Sequence, residues 1–134
     1  MEKPAAIGGM RHVALYVREF AACEHFYTEI IGMAVEWRPD GDNLFLCSGA
    51  DNLALHRAPE GFNPPEGQQR LDHIGFIINT MAEVDHWFEY MSRLEVVMMT
   101  VPRTHRDGAR SFYCHDPDGN TVQMIYHPPI SDKR

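Results

Sequence analysis

The sequence predicts an α+β fold of two βαβββ modules related by pseudo-twofold symmetry, and three observations carry the prediction. The strand-like run Met10-Arg11-His12-Val13-Ala14-Leu15-Tyr16-Val17 returns 61 residues later as Leu71-Asp72-His73-Ile74-Gly75-Phe76-Ile77-Ile78, with a histidine third in each. The offset persists, because His25-Phe26-Tyr27 stands the same 61 residues before His86-Trp87-Phe88. Each run also leads into a helical periodicity and then into short apolar stretches parted by turn residues. One module is expected over 10–57 and the other over 71–127 of a single domain, 1–134.

In the first module the helix is expected at 19–31, where Phe20, Cys23, Phe26, Tyr27, Ile30 and Ile31 fit the helical period, and Gly32 stops it. Strands follow at 33–37, 44–47 and 53–56. Pro39-Asp40-Gly41-Asp42 and Ser48-Gly49-Ala50-Asp51 supply the turns between them. Residues 58–70 hold three prolines and two glycines and read as a linker. The second module repeats the order. A strand at 71–78 leads into a helix at 81–93, whose Val84, Trp87, Phe88 and Met91 recur at three- and four-residue steps. A strand at 95–101, a polar loop at 102–108 and strands at 109–114 and 120–126 follow, the last two joined by Asp116-Pro117-Asp118-Gly119. Residues 128–134 are expected to fray. With the helices packed on one face of curved mixed sheets, the other face becomes a cleft. His12 and His73, at matching strand positions, would face each other across it.

A chain of 134 residues buries about two-thirds of its unfolded surface, so disulfides are not needed for stability. Cys23, Cys47 and Cys114 are widely spaced and form no C-x-x-C pair, which fits reduced core thiols. No apolar run approaches the roughly 20 residues of a membrane span, and residues 1–9 lack a signal-peptide core. A cytoplasmic protein with no membrane partner is expected. A net charge of −7 without a Lys/Arg cluster argues against a nucleic-acid partner, whose affinity would rest on phosphate neutralisation. Trp37, Trp87, Met98 and Met99 are expected in the core, and His25 and His86 on the surface.

The paired modules, His12, His73 and the ending Asp116-Pro117-Asp118-Gly119-Asn120-Thr121-Val122-Gln123 resemble the vicinal oxygen chelate superfamily. That group includes glyoxalase I, extradiol ring-cleaving dioxygenases, fosfomycin-resistance transferases and bleomycin-resistance proteins. Its metal-binding members place a histidine on the first strand of each unit and a glutamate after the D-P-x-G-N turn. The resemblance therefore implies His12, His73 and Gln123 as ligands of a divalent metal ion, Fe²⁺ or Mn²⁺ foremost, with Zn²⁺ or Ni²⁺ as other candidates. It also implies a homodimer and a small-molecule substrate that is aromatic or carries vicinal oxygens. Gln123 departs from the pattern, since an amide carbonyl is a neutral and weaker oxygen ligand than a carboxylate.

The extradiol dioxygenases are nearest in motif, and their resemblance implies acid-base or hydrogen-bonding roles for His105 and Tyr113. Asp51 and Arg103 depart from that pattern. A glyoxalase-like lyase would lack its carboxylate base, because Ala54 and Gln123 fill the relevant positions. A phosphonate transferase would want a cationic cluster, for which Arg103, Arg106 and Arg110 are the candidates. The alternative from another class is a metal-free protein that sequesters an apolar or aromatic ligand in the same cleft.

Overall fold

The computed structural model describes residues 1–65 and 69–131. Residues 66–68 of the expected linker and 132–134 of the expected tail lie outside the described residues. Alternation along β1 (His12–Val17) turns Leu15 and Val17 inward and leaves His12, Ala14 and Tyr16 on the open face. β1 runs parallel to β4 (Asn52–Arg57), which lies antiparallel to β3 (Asn43–Cys47), which in turn lies antiparallel to β2 (Ala34–Trp37). The second sheet repeats the scheme. β5 (Ile74–Ile77) runs parallel to β9 (Thr121–Tyr126), followed antiparallel by β8 (Arg110–His115), with β6 (Val97–Met98) and β7 (Arg103–Thr104) both paired to β8. A parallel pairing of first and last strand needs a crossover, and α1 (Phe20–His25) and α2 (Met81–Arg93) supply it in each unit. The architecture is thus mixed α+β with two mixed sheets, as the repeat predicts.

α2 has the expected bounds, and its N-cap Thr80 accepts a bond from the Glu83 amide at 3.1 Å. The expected helix at 19–31 splits into α1 and a π-helical stretch, Phe26–Ile31. Apolar spacing alone does not distinguish the wider turn. Gly32 ends it with φ 98°, a conformation that costs a glycine little.

Four other segments differ from expectation. The strand expected at 71–78 pairs only over Ile74–Ile77, so His73 sits one residue before it. The strand expected at 95–101 shortens to Val97–Met98, because Glu95 takes φ 61° as the chain leaves α2. The loop expected at 102–108 contains β7. The tail is docked as far as Ser131, whose buried Oγ donates to the Ile78 carbonyl at 2.7 Å and accepts from the His127 amide at 2.8 Å.

A single core joins both units, with Phe26 and Tyr27 of the first in one cluster with Val84, Phe112, Val122 and Met124 of the second. Full burial of one such side chain contributes about 1.5–3 kcal/mol. Cys23 and Cys114 belong to this core; burial pushes the Cys114 thiol up to about 12, which makes it inert. Cys47 is only half-buried. Trp37, expected inside, is 59% exposed and stacks on Phe45 with ring centroids 5.2 Å apart. Met99 is exposed, while Met98 and Trp87 are half-buried; His25 and His86 are exposed as expected.

The turn that ends the second unit also holds the first. Asp118 Oδ1 accepts from the Arg18 and Glu19 amides at 2.7 and 2.8 Å and so fixes the entry to α1, whose N-cap residue makes no side-chain cap. Buried Asp116 accepts from Tyr27 Oη at 2.6 Å, from Asn120 Nδ2 at 2.9 Å, and from the Asp118 and Asn120 amides at 2.9 and 2.8 Å.

Burial, with Asp116 next, holds the Tyr27 phenol well above its ordinary range. An unfolded tyrosine ionises near pH 10, while the folded one keeps its proton. The folded state therefore binds more protons above about pH 10, and stability must fall as pH rises from there towards the folded value. Urea unfolding between pH 9 and 12 checks this. Tyr27→Phe is expected to be less stable at pH 8 but to lose less stability on going alkaline; parallel pH profiles would refute it.

Candidate functional site

The open face of the second sheet gathers most of the predicted residues. Gln123 lies between Gly75 of β5 and Tyr113 of β8 in the strand register. Ser111, two residues before Tyr113, shares its face. Gln123 is 9% exposed, and its Nε2 donates to both Ser111 Oγ and Tyr113 Oη at 3.1 Å. Its Oε1 lies over β5, 3.7 Å from where a Cβ on Gly75 would stand. The His73 ring meets Tyr113 edge-on at 5.2 Å, and its Nδ1 lies 2.7 Å from Asp72 Oδ2. His105, on the loop after β7, places Nε2 3.3 Å from Ser111 Oγ. His73, His105, Tyr113 and Gln123 thus converge, and Ser111 is the joint between His105 and Gln123.

His12 is elsewhere. It opens β1 on the first sheet, with Nδ1 2.7 Å from Asn52 Oδ1, and Asn52 Nδ2 donates to Glu36 Oε2 at 3.1 Å. The structure therefore places the three expected metal ligands on two different sheets. Among the described residues no three His, Cys, Asp or Glu side chains group as a metal set; the expected trio draws only two members from those types.

The donor chemistry of the trio nonetheless fits a metal ion. Each histidine has Nδ1 engaged by an oxygen, leaving Nε2 available, which is the usual arrangement of a ligating imidazole. Gln123 spends its amide nitrogen on Ser111 and Tyr113, leaving its oxygen as the outward donor.

Asp51, which stands where the dioxygenase pattern has a histidine, is committed to the β3–β4 turn, accepting from the Ser48 amide at 2.6 Å. Of the three arginines, Arg110 is held by Asp85, at 2.7 Å from Nη2, and by Thr104. Arg103 and Arg106 line an open cavity of about 530 Å³ with His105 and Asp107. Sequence reasoning missed Ser111, Asp72 and Asn52. Ser111 had a signal, its two-residue spacing from Tyr113; the asparagine and aspartate depend on cross-strand register and local turn geometry.

Fold and site together define a protein of the paired βαβββ class, with imidazole, amide and phenol groups on an open sheet face. The model of the Glyoxalase/Bleomycin resistance protein/Dioxygenase superfamily matches residues 9–124, and the chain belongs to that superfamily. It is 27% identical over 129 residues to a 2,2',3-trihydroxybiphenyl dioxygenase from Sphingomonas paucimobilis, covering 92% of this chain and 42% of that protein. It is 26% identical over 116 residues to the glutathione transferase FosA of Serratia marcescens, covering 86% and 78% of the two chains. The crystal structure of a lactoylglutathione lyase from Agrobacterium tumefaciens matches with a TM-score of 0.74 at 26% identity, over 96% of this chain and 98% of that one. Among the described residues no helix is long and apolar enough to cross a membrane.

Proposed function

We propose that the chain is a divalent-metal-dependent enzyme of this superfamily, most like an extradiol dioxygenase, acting on a small aromatic or vicinal-oxygen compound in the cytoplasm. The observation that carries this reading is the linked set His73, Tyr113, Gln123, Ser111 and His105 on one sheet face. His73, Gln123 and His12 would hold the ion, Fe²⁺ or Mn²⁺ foremost. Bound there, it would supply Lewis-acid polarisation and orient the substrate oxygens.

The chain's own groups have defined work. Tyr113 Oη accepts from Gln123, so its hydroxyl proton is free for a substrate oxygen. Ser111 Oγ accepts from Gln123 and can donate to His105 Nε2, which puts the proton of the neutral ring on Nδ1, from where it can be passed on. His105 lies on a loop, where small movements can admit substrate and exclude water.

His12 reaches this set if the chain is a homodimer in which the first sheet of one protomer faces the second sheet of its partner. The exposed apolar residues support that arrangement, with Tyr16 and Trp37 on the first sheet and Ile77 and Val97 on the second. Such faces are ordinarily covered.

The neutral Gln123 supports a second reading, a metal-free protein that sequesters an aromatic ligand. One variant separates the two. Gln123→Glu adds an anionic oxygen at the same reach and is expected to tighten Fe²⁺ or Mn²⁺ binding about ten-fold or more. Calorimetric titration of both forms reads this; equal or weaker affinity in the variant would remove position 123 from the ligand set.

A further inference from the structure

The segment after β9, expected to fray, instead crosses the end of the second sheet. Arg110 pairs with Tyr126 at the last rung of the β8–β9 ladder, so the same register sets Ala109 opposite His127 and Gly108 opposite Pro128. Gly108 takes φ 90°, and a Cβ built on it would stand 3.5 Å from Pro128 Cγ. The chain then turns once, the Ile130 and Ser131 amides donating to the His127 carbonyl at 2.9 and 2.7 Å. That turn carries Ser131 across β9, where its Oγ reaches the carbonyl of Ile78, the residue after β5. Residues 127–131 thus link the tip of the β7–β8 hairpin, which bears His105, to the exit of β5.

The anchorage of this segment is narrow, and it is opposed. Pro129 and Ile130 are exposed, so little apolar burial holds it. Ser131, 4% exposed, makes both anchoring bonds through one oxygen, to Ile78 and from the His127 amide. Against them stands His127, whose Nδ1 is buried with no hydrogen-bond partner among the described residues. A buried polar atom left unpaired costs about as much as one or two ordinary hydrogen bonds contribute, and release into water would satisfy it. Docked and released arrangements therefore lie close in free energy. Pro128 and Pro129 fix two successive φ angles, so a displacement at Ser131 is carried to Pro128 and the hairpin tip. That tip is closed by the His105 amide donating to the Ala109 carbonyl at 2.7 Å and the Gly108 amide to the His105 carbonyl at 3.0 Å.

We propose that residues 127–131 are a strap that positions the His105 hairpin, with Ser131 as its anchor and Pro128 as its point of contact. Docked, the strap holds His105 beside Ser111. Released, it frees the hairpin to move and widens access to the cavity that Arg103, His105, Arg106 and Asp107 line. Ser131 and Pro128 are positioning residues, acting through Gly108 on His105. The inference rests on the reading above only for the use of His105 in proton transfer.

The test reads the full chain without metal or substrate, by amide hydrogen exchange and by nitrogen NMR of the histidine rings. Ser131→Ala is expected to raise exchange over 104–109 about ten-fold, the effect of losing an ordinary hydrogen bond, and to leave α2 unchanged. His127→Leu, which removes the unpaired nitrogen, is expected to slow exchange over the same residues. Pro128→Ala should speed exchange at the hairpin while the Ser131 amide stays protected, because the contact is lost and the anchor is kept. The His105 ring signal should move in Ser131→Ala and in Pro128→Ala, and the His12 signal, on the other sheet, in neither. Unchanged exchange over 104–109 in Ser131→Ala would overturn the proposal, as would a rise shared equally by α2, which is general destabilisation. Faster hairpin exchange in His127→Leu would overturn it too. None of these readouts uses oxygen uptake or metal binding, so the strap and the dioxygenase reading fail separately.

Discussion

Asp116→Ala is expected to lower the unfolding free energy by about 3–5 kcal/mol, measured by urea denaturation at pH 7. The carboxylate accepts four bonds in a site that is 3% exposed. Each buried donor left without a partner costs about 1–3 kcal/mol, reduced where water can enter. Asp118→Ala is the internal comparison. It removes two backbone-amide bonds at a more accessible position, worth about 0.5–1.5 kcal/mol each, so the ordering of the two variants matters as much as their size. If Asp118→Ala proved the more damaging, the buried role of Asp116 would be wrong.

Tyr113→Phe and His105→Ala are expected to lower catalytic rate by roughly 10² to 10⁴, the usual cost of losing a positioned proton donor or acceptor. With Fe²⁺ supplied anaerobically and oxygen then admitted, uptake is followed across a panel of catechols. Metal affinity should stay within a few-fold of the parent in His105→Ala; in Tyr113→Phe, which also removes one of the two bonds orienting Gln123, rates are compared with the metal bound to saturation. Metal-loaded parent protein that consumes no oxygen with any catechol would count against the dioxygenase reading. Rate loss accompanied by metal loss in His105→Ala would instead make that residue a structural support of the site.

Much of this was legible in the sequence because the repeat encodes topology. The matched histidine runs and the common order of strand, helix and strands predict two mixed sheets, while the parallel pairing of first and last strand in each comes from the structure. The offset of 61 residues then grows: β4 and β9 start at Asn52 and Thr121. The largest share of the extra length falls between β6 and β8, in the segment carrying β7 and His105, the part with no counterpart in the first unit. Tyr113 and Gln123 could be grouped by the spacing of the ending motif, yet their bond depends on cross-strand register, which periodicity does not report. The π-helical stretch was invisible for a similar reason, since a wider turn alters the spacing by a fraction of a residue. Trp37 misled because composition favours burial of tryptophan; its exposure follows from the outward row it shares with Phe45, a fact of strand pairing.

The aspartate turn before β9 has a consequence for cooperativity. The Arg18 and Glu19 amides, which lead into α1, find their acceptor in the other unit, and so does the Tyr27 hydroxyl. Either half made alone would expose these groups together with the shared apolar core. The duplication has therefore lost the independence that a repeated unit begins with. What remains is one folding unit in two halves, and a change that loosens the second half near Gln123 is felt at the start of the first helix.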